Sequence, residues 1–116
     1  MVYTADSLAL ATLELSVHLA GARVAYSAIE VDIADVDIRE LSADELPRRW
    51  KSDEAATQRA GEKWTRSLMS LALRVPSVLV DARSGEGNVL INPAHDATAR
   101  IAEVQRFRVV LDERLR

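Results

Sequence analysis

The pattern of hydrophobic and polar positions predicts a chain in which helices and strands alternate. Residues 6–20 contain neither Gly nor Pro, so they are predicted to form a helix that Asp6 or Ser7 caps and Gly21 ends. Leucines and a valine on two opposite sides predict that this helix is central and buried on both flanks. The rest of the pattern predicts strands at 24–33, 36–41, 75–80, 89–91 and 107–111, a helix in two parts at 52–73 that is interrupted near Gly61, and a short helix at 96–104.

Local signals join these elements into one fold. The turn at 85–88 is expected to pair residues 75–80 with residues 89–91 as a hairpin. Val2 and Tyr3 are typical of the end of a strand, so the chain is expected to begin in mid-fold. No repeat or low-complexity linker divides the sequence. Residues 1–116 are therefore predicted to form a single mixed α/β domain.

Composition excludes several classes of protein. The 116 residues are 48% hydrophobic and 28% charged, which is typical of a globular domain. The absence of cysteine excludes disulfides and thiolate metal sites, and two histidines are too few for a metal centre. A net charge of −3 gives no electrostatic footprint for direct nucleic-acid binding. With no export signal and no apolar run long enough to span a membrane, a cytoplasmic protein is expected.

Glu14 is the most informative single residue. It lies between Leu13 and Leu15 in the first predicted helix, close to His18 on the helical wheel. A carboxylate in such surroundings must be paired, neutralised or in contact with a ligand, because an unpaired buried charge is costly. The pattern alone favours the alternative of an exposed glutamate that contacts His18 four residues later.

Ser77 interrupts an apolar stretch directly after Pro76. Such a serine either bonds a local backbone group or points into a pocket. No Gly-x-Ser-x-Gly motif surrounds it and no glycine-rich phosphate loop is present, which excludes a serine hydrolase triad and nucleotide binding by such a loop. His95 is predicted to stabilise a turn, while Trp50 and Trp64 are predicted to anchor the core.

Several sequence strings, taken together and in order, resemble the RES-domain toxins. They are VYTAD at 2–6 leading into LALATLE at 8–14, Leu46-Pro47 with Trp50, Gln58 to Gly61 with Trp64, VPS at 75–77, NVLINP at 88–93 with His95, and Phe107 with LDERL at 111–115. The resemblance covers nearly the whole chain and implies an ADP-ribosyltransferase-like RES fold. It also implies a bacterial toxin of a toxin–antitoxin pair that consumes NAD⁺ as a substrate and carries no prosthetic group.

The resemblance also assigns the site. The family's glutamate falls on Glu14, its serine on Ser77 and its tyrosine on Tyr3. Glu14 and Ser77 are the implied catalytic residues, with Glu14 stabilising positive charge at the ribose. Tyr3, Ser77, Asn88 and His18 are the implied contacts to NAD⁺, and no metal is implied.

The family's arginine has no counterpart in residues 1–116, because it lies upstream of the tyrosine. Such an arginine would bind the pyrophosphate, so weak NAD⁺ binding and a fold incomplete at its N-terminus are expected. Two functions remain open. The first is an enzyme that degrades NAD⁺, with water, phosphate or a protein as acceptor, and that an Xre-type antitoxin neutralises. The second is a catalytically impaired protein that only binds that antitoxin. An apolar groove beside Val2 is expected to cause self-association.

Overall fold

The computed structural model describes residues 1–19, 25–112 and 114. Within these ranges it contains two α-helices and six β-strands, joined by short 3₁₀ turns: β1 (Val2–Ala5), α1 (Leu8–Leu19), β2 (Ala25–Asp32), β3 (Ile38–Glu40), α2 (Glu54–Ser67), β4 (Ala72–Pro76), β5 (Gly87–Ile91) and β6 (Ala102–Val110). The mixed α/β prediction is confirmed. In the described part of the chain, no helix is long and apolar enough to cross a lipid bilayer.

The strands form two separate sheets. The larger sheet has the order β1-β5-β4-β3, in which β3 runs parallel to β4 and the other pairs are antiparallel. Among the described strands, β2 and β6 pair only with each other, antiparallel, with a bulge between Glu30 and Val31. The predicted hairpin is confirmed as the β4–β5 pair, although its first strand occupies Ala72–Pro76 rather than residues 75–80.

The core lies where α2 packs on the larger sheet. Trp64 is 4% exposed and forms a buried cluster with Leu73 of β4 and Leu90 of β5. Its indole Nε1 donates to Ser70 Oγ at 2.8 Å, so the buried ring keeps its polar atom satisfied. Trp50 is also buried, at 8% exposure, and the prediction that both tryptophans anchor the core is confirmed.

Side-chain alternation gives the larger sheet two distinct faces. Paired residues in a sheet point to the same side, so Tyr3 shares the α2 face with its partner Leu90 and with Asn88. Thr4, Val89 and Arg74 are aligned in register and point to the opposite face. The two faces therefore carry different sets of polar side chains.

Helix α1 agrees with its predicted position, but its predicted burial is wrong. Ser7 caps the helix by accepting from the Leu10 N–H at 3.1 Å. Leu10 is 1% exposed, whereas Leu13 and Val17 are 39% and 62% exposed. The helix therefore packs on one side only, because it lies at the surface of the sheet rather than between two layers. The predicted end at Gly21 lies outside the described residues.

The helix predicted in two parts at 52–73 is wrong in two respects. Helix α2 is continuous through Gly61, which is buried and where a Cβ would make an ordinary van der Waals contact with Leu90 Cδ1 at 3.6 Å. The helix then ends early, because Leu68 adopts a left-handed conformation with φ of 54°. From Ala72 onward the chain is strand β4.

The remaining elements differ mainly at their boundaries. A 3₁₀ turn at Asp35–Asp37 occupies the start of the strand predicted at 36–41. A 3₁₀ turn at Asp96–Arg100 replaces the predicted helix, and β6 begins earlier than predicted. His95 Nδ1 accepts from the Ala97 N–H at 3.0 Å, which confirms its turn-stabilising role.

Candidate functional site

The Glu14 carboxylate is bound by two side chains from distant parts of the sequence. Ser77 Oγ donates to Glu14 Oε1 at 2.7 Å, and Asn88 Nδ2 donates to the same oxygen at 2.9 Å. Ser77 is 5% exposed, so this contact is shielded from bulk water. We refer to Glu14, Ser77 and Asn88 as the Glu14 cluster.

The ends of three elements position this cluster. Glu14 lies in the second turn of α1, Ser77 follows the last residue of β4, and Asn88 is the second residue of β5. Asn88 pairs with Val75 in the β4–β5 ladder, which brings it close to Ser77. The cluster therefore forms where α1 crosses the end of the β4–β5 hairpin.

The hydrogen bonds make the two oxygens of the Glu14 carboxylate different from each other. A donor to an ionised carboxylate forms a charge-assisted bond, which is stronger than a neutral one. Both bonds go to Oε1, and among the described residues nothing donates to Oε2. Oε2 is therefore the oxygen that can accept a hydrogen bond from a hydroxyl group of a ligand.

The structure settles part of each alternative that the sequence left open. Glu14 is partly buried and paired with Ser77 and Asn88, which contradicts the interpretation as an exposed surface glutamate. Ser77 bonds a local backbone group, because its hydroxyl accepts from the Leu79 N–H at 3.1 Å, and the same hydroxyl donates to Glu14. The side chain of His18 lies outside the described residues, so its predicted contact is not described.

Tyr3 lies on the same face of the sheet as Asn88. The β1–β5 register pairs Tyr3 with Leu90 and Ala5 with Asn88, so Tyr3 is one same-face step along from the cluster. Tyr3 is 69% exposed, which leaves it accessible to a ligand. The arrangement offers an aromatic side chain, a fixed carboxylate and two hydrogen-bonding side chains on one side of the sheet.

A cleft of about 780 Å³ lies against the opposite face of the same sheet. Thr4, Arg74 and Val89 line one wall, and residues of β2 together with Phe107 of β6 line the other. The Glu14 cluster does not line this cleft, although Leu8 and Ala11 of α1 do. The cleft and the Glu14 cluster are therefore separate features, and the size of the cleft does not identify it as the catalytic site.

No pattern in the sequence indicates the role of Asp6 and Arg74. Asp6 is one of two candidate caps of α1, and the helix predicted at 52–73 ends directly before Arg74. In the structure Arg74 Nε and Nη2 donate to the Asp6 carboxylate at 3.0 Å, and Nη1 pairs with Glu40. The hydrogen bond to Asp6 is the main cause that raises the pKa of the Arg74 guanidinium above its usual value.

Replacing Ser77 with Ala is expected to lower the free energy of unfolding by about 2 kcal/mol, because it removes a charge-assisted hydrogen bond and leaves a backbone N–H unpaired. Urea denaturation measures this. Ser84→Ala is the matched control, since the Ser84 hydroxyl accepts from the Glu86 N–H at 3.1 Å in the same geometry but at an exposed position. Equal losses in the two variants would show that the Glu14 contact adds nothing.

Known proteins resemble this chain over most of its length. The model of the RES domain family matches residues 1–112. A protein named Toxin Res from Yersinia enterocolitica is 34% identical over 120 residues, which cover 99% of this chain and 77% of that protein. A second Toxin Res, from Photorhabdus laumondii, is 34% identical over 98% of this chain and 74% of its own length. A protein named Prs ADP-ribosylating toxin, from a Sphingobium species, is 35% identical over 82% of this chain and 62% of its own length.

Proposed function

This chain belongs to the RES domain family, and we propose that it is a toxin that consumes NAD⁺ by breaking the bond between nicotinamide and ribose. The observation that carries the proposal is the Glu14 carboxylate, which Ser77 and Asn88 hold through Oε1. The name of the Sphingobium relative, an ADP-ribosylating toxin, supports chemistry at the same bond of NAD⁺.

The proposed reaction uses the negative charge of Glu14. When the bond between the ribose C1′ and the nicotinamide nitrogen breaks, the electron pair leaves with nicotinamide. The ribose then carries positive charge in an oxocarbenium-like state, as in glycoside hydrolysis. A carboxylate fixed nearby stabilises that charge without having to reorganise. An oxygen of the acceptor then bonds to C1′ and loses its proton.

The other site residues have supporting roles in this proposal. Ser77 and Asn88 hold Oε1, so that Oε2 can accept the hydrogen bond of a ribose hydroxyl. The ring of Tyr3 packs against nicotinamide on the face that it shares with Asn88. A contact from His18 to the substrate stays a prediction.

Release of nicotinamide by the purified protein tests the proposal. We expect NAD⁺ to be consumed, with the second product identifying the acceptor. Water gives ADP-ribose, phosphate gives ADP-ribose that carries a phosphate on the same C1′, and a protein acceptor gains the mass of one ADP-ribosyl group. Mass spectrometry separates the three products in mixtures with and without phosphate or cell extract. No release of nicotinamide in any mixture would contradict the proposal.

The surface of α1 favours a protein partner. Leu13 and Val17 lie one helical turn apart, are 39% and 62% exposed, and place apolar area in solvent. We propose that an Xre-type antitoxin is this partner and that both proteins act in the cytoplasm, where NAD⁺ is available. The second candidate function is a catalytically impaired protein that only binds the antitoxin. Co-purification with the antitoxin, without release of nicotinamide, would favour this second candidate.

The predicted self-association stays a prediction. Strand β1 lies at the edge of the larger sheet, and Val2 on this strand is 48% exposed. An edge strand presents backbone groups that a further strand can pair with.

A further inference from the structure

Asp6 is the centre of a second polar network, on the face of the sheet opposite to the Glu14 cluster. Its carboxylate receives the fork of Arg74 and also accepts from the Gly87 N–H at 2.8 Å. The Asp6 N–H donates to the Gly87 carbonyl at 3.1 Å. The side chains of Asp6 and Arg74 are 19% and 28% exposed, so the pair is partly shielded from water.

Each residue of this network precedes a residue of the Glu14 cluster in the same stretch of chain. Asp6 leads into α1, which carries Glu14. Arg74 stands three residues before Ser77, and Gly87 stands directly before Asn88. The three segments that meet at the cluster are thus already joined at an earlier position along each segment: eight residues earlier for Glu14, three for Ser77 and one for Asn88.

The geometry of the pair suits it for fixing positions. A guanidinium fork on a carboxylate sets both distance and angle, whereas a single hydrogen bond leaves rotation free. Asp6 also binds the backbone of β5 through Gly87, so it holds the start of α1 against β4 and β5 together. A carboxylate in a reacting site must be held within a fraction of an ångström, and supporting hydrogen bonds outside the site supply that precision.

We propose that Asp6 and Arg74 are positioning residues, which hold Glu14 in line with Ser77 and Asn88 without touching substrate. This inference rests on the proposed function of the Glu14 cluster. Since the pair lies on the cleft face while Asn88 lies on the α2 face, its influence passes through the backbones of β4, β5 and the start of α1.

Two measurements test the proposal on three variants, and Glu14→Ala serves as the reference for the first measurement. The side-chain amide of Asn88 is followed by NMR, because it reports the hydrogen bond to Glu14, and kcat and KM are measured for nicotinamide release. In Asp6→Ala we expect the Asn88 signal to move toward its position in Glu14→Ala. We also expect kcat to fall by about tenfold or more, with KM changed by less than about threefold, because misalignment acts on the chemical step.

Arg74→Lys is the conservative variant, since it keeps the charge and loses the fork. We expect it to show a smaller change of the same kind in both measurements. Asp81→Ala is the control, because it removes an exposed pair with Arg83, at 2.9 Å, and the described hydrogen bonds to the Asp81 side chain all come from Arg83 rather than from the cluster. We expect it to leave both measurements unchanged.

The outcomes separate the two proposals. If the melting temperature of Asp6→Ala falls while its Asn88 signal and kcat stay as in the wild type, the pair only stabilises the fold and the inference is overturned. If the wild type releases no nicotinamide, the proposed function fails, and the Asn88 signal alone still decides whether the pair positions the cluster. If Asp6→Ala does not fold, the Asn88 signal and kcat of Arg74→Lys are compared with those of the wild type instead.

Discussion

Replacing Glu14 with Gln is expected to reduce nicotinamide release by at least about 100-fold while the fold is retained. The amide has the shape of the carboxylate, and its oxygen can still accept from Ser77 Oγ and Asn88 Nδ2. What it lacks is the negative charge that stabilises the oxocarbenium-like state. The loss should therefore appear mainly in kcat rather than in KM.

The measurement compares purified Glu14→Gln with wild type at equal concentration, together with NAD⁺ levels in cells that express each protein. Glu62→Gln is the matched control, because it makes the same chemical change at an exposed position on α2. Circular dichroism and thermal melting establish that each variant is folded. Undiminished nicotinamide release by Glu14→Gln would remove Glu14 from the reaction.

Residues that disagree with their local pattern were the ones that sequence reasoning could find. Glu14 is a charge among leucines, and Ser77 is a hydroxyl in an apolar run, so each required a partner for a physical reason. The structure gives them each other as partners. Their meeting could not be read from the pattern alone, because the two residues are 63 positions apart and the contact depends on the packing of α1 against the β4–β5 hairpin.

Sequence reasoning missed Asp6 and Arg74 for the opposite reason, since each agrees with the ordinary pattern of its local sequence. An aspartate before a helix is an expected cap, although here Ser7 takes that role. Leu68, Leu71 and Ala72 continue the helical spacing of α2, so the predicted helix runs to residue 73, directly before Arg74. The helix ends earlier because Leu68 adopts a left-handed conformation. Leucine rarely adopts it, so the sequence pattern does not predict this end.

The burial predicted for α1 and for β2 is wrong because burial depends on tertiary structure. Apolar residues on two sides of a helix predict two packed flanks, yet Leu13 and Val17 remain exposed. In β2 the alternation predicts that Ile29 is buried, but the bulge after Glu30 changes the register and leaves Ile29 49% exposed. Local periodicity defines the sides of an element, whereas which side is covered depends on neighbours that are distant in sequence.

Replacing Gly87 with Ala is expected to lower the free energy of unfolding by about 3 kcal/mol, the upper part of the range for overpacking. An ideal Cβ on Gly87 would lie 2.5 Å from the Val75 carbonyl oxygen, which is backbone and cannot rotate away. Relief requires β5 to move from β4, and this movement shifts Asn88 away from Glu14. It also stretches the hydrogen bond from the Gly87 N–H to Asp6.

Gly85→Ala is the control that separates crowding from backbone strain. Gly85 has φ of 76°, and among the described atoms a Cβ there would meet nothing within 4 Å. Its replacement should cost about 1 kcal/mol, from the left-handed conformation alone, and should leave Asn88 in place. Urea denaturation and the NMR signal of the Asn88 side-chain amide test both variants. Equal losses of stability, or an unmoved Asn88 signal in Gly87→Ala, would show that the close approach of β4 and β5 does not determine the position of Asn88 at Glu14.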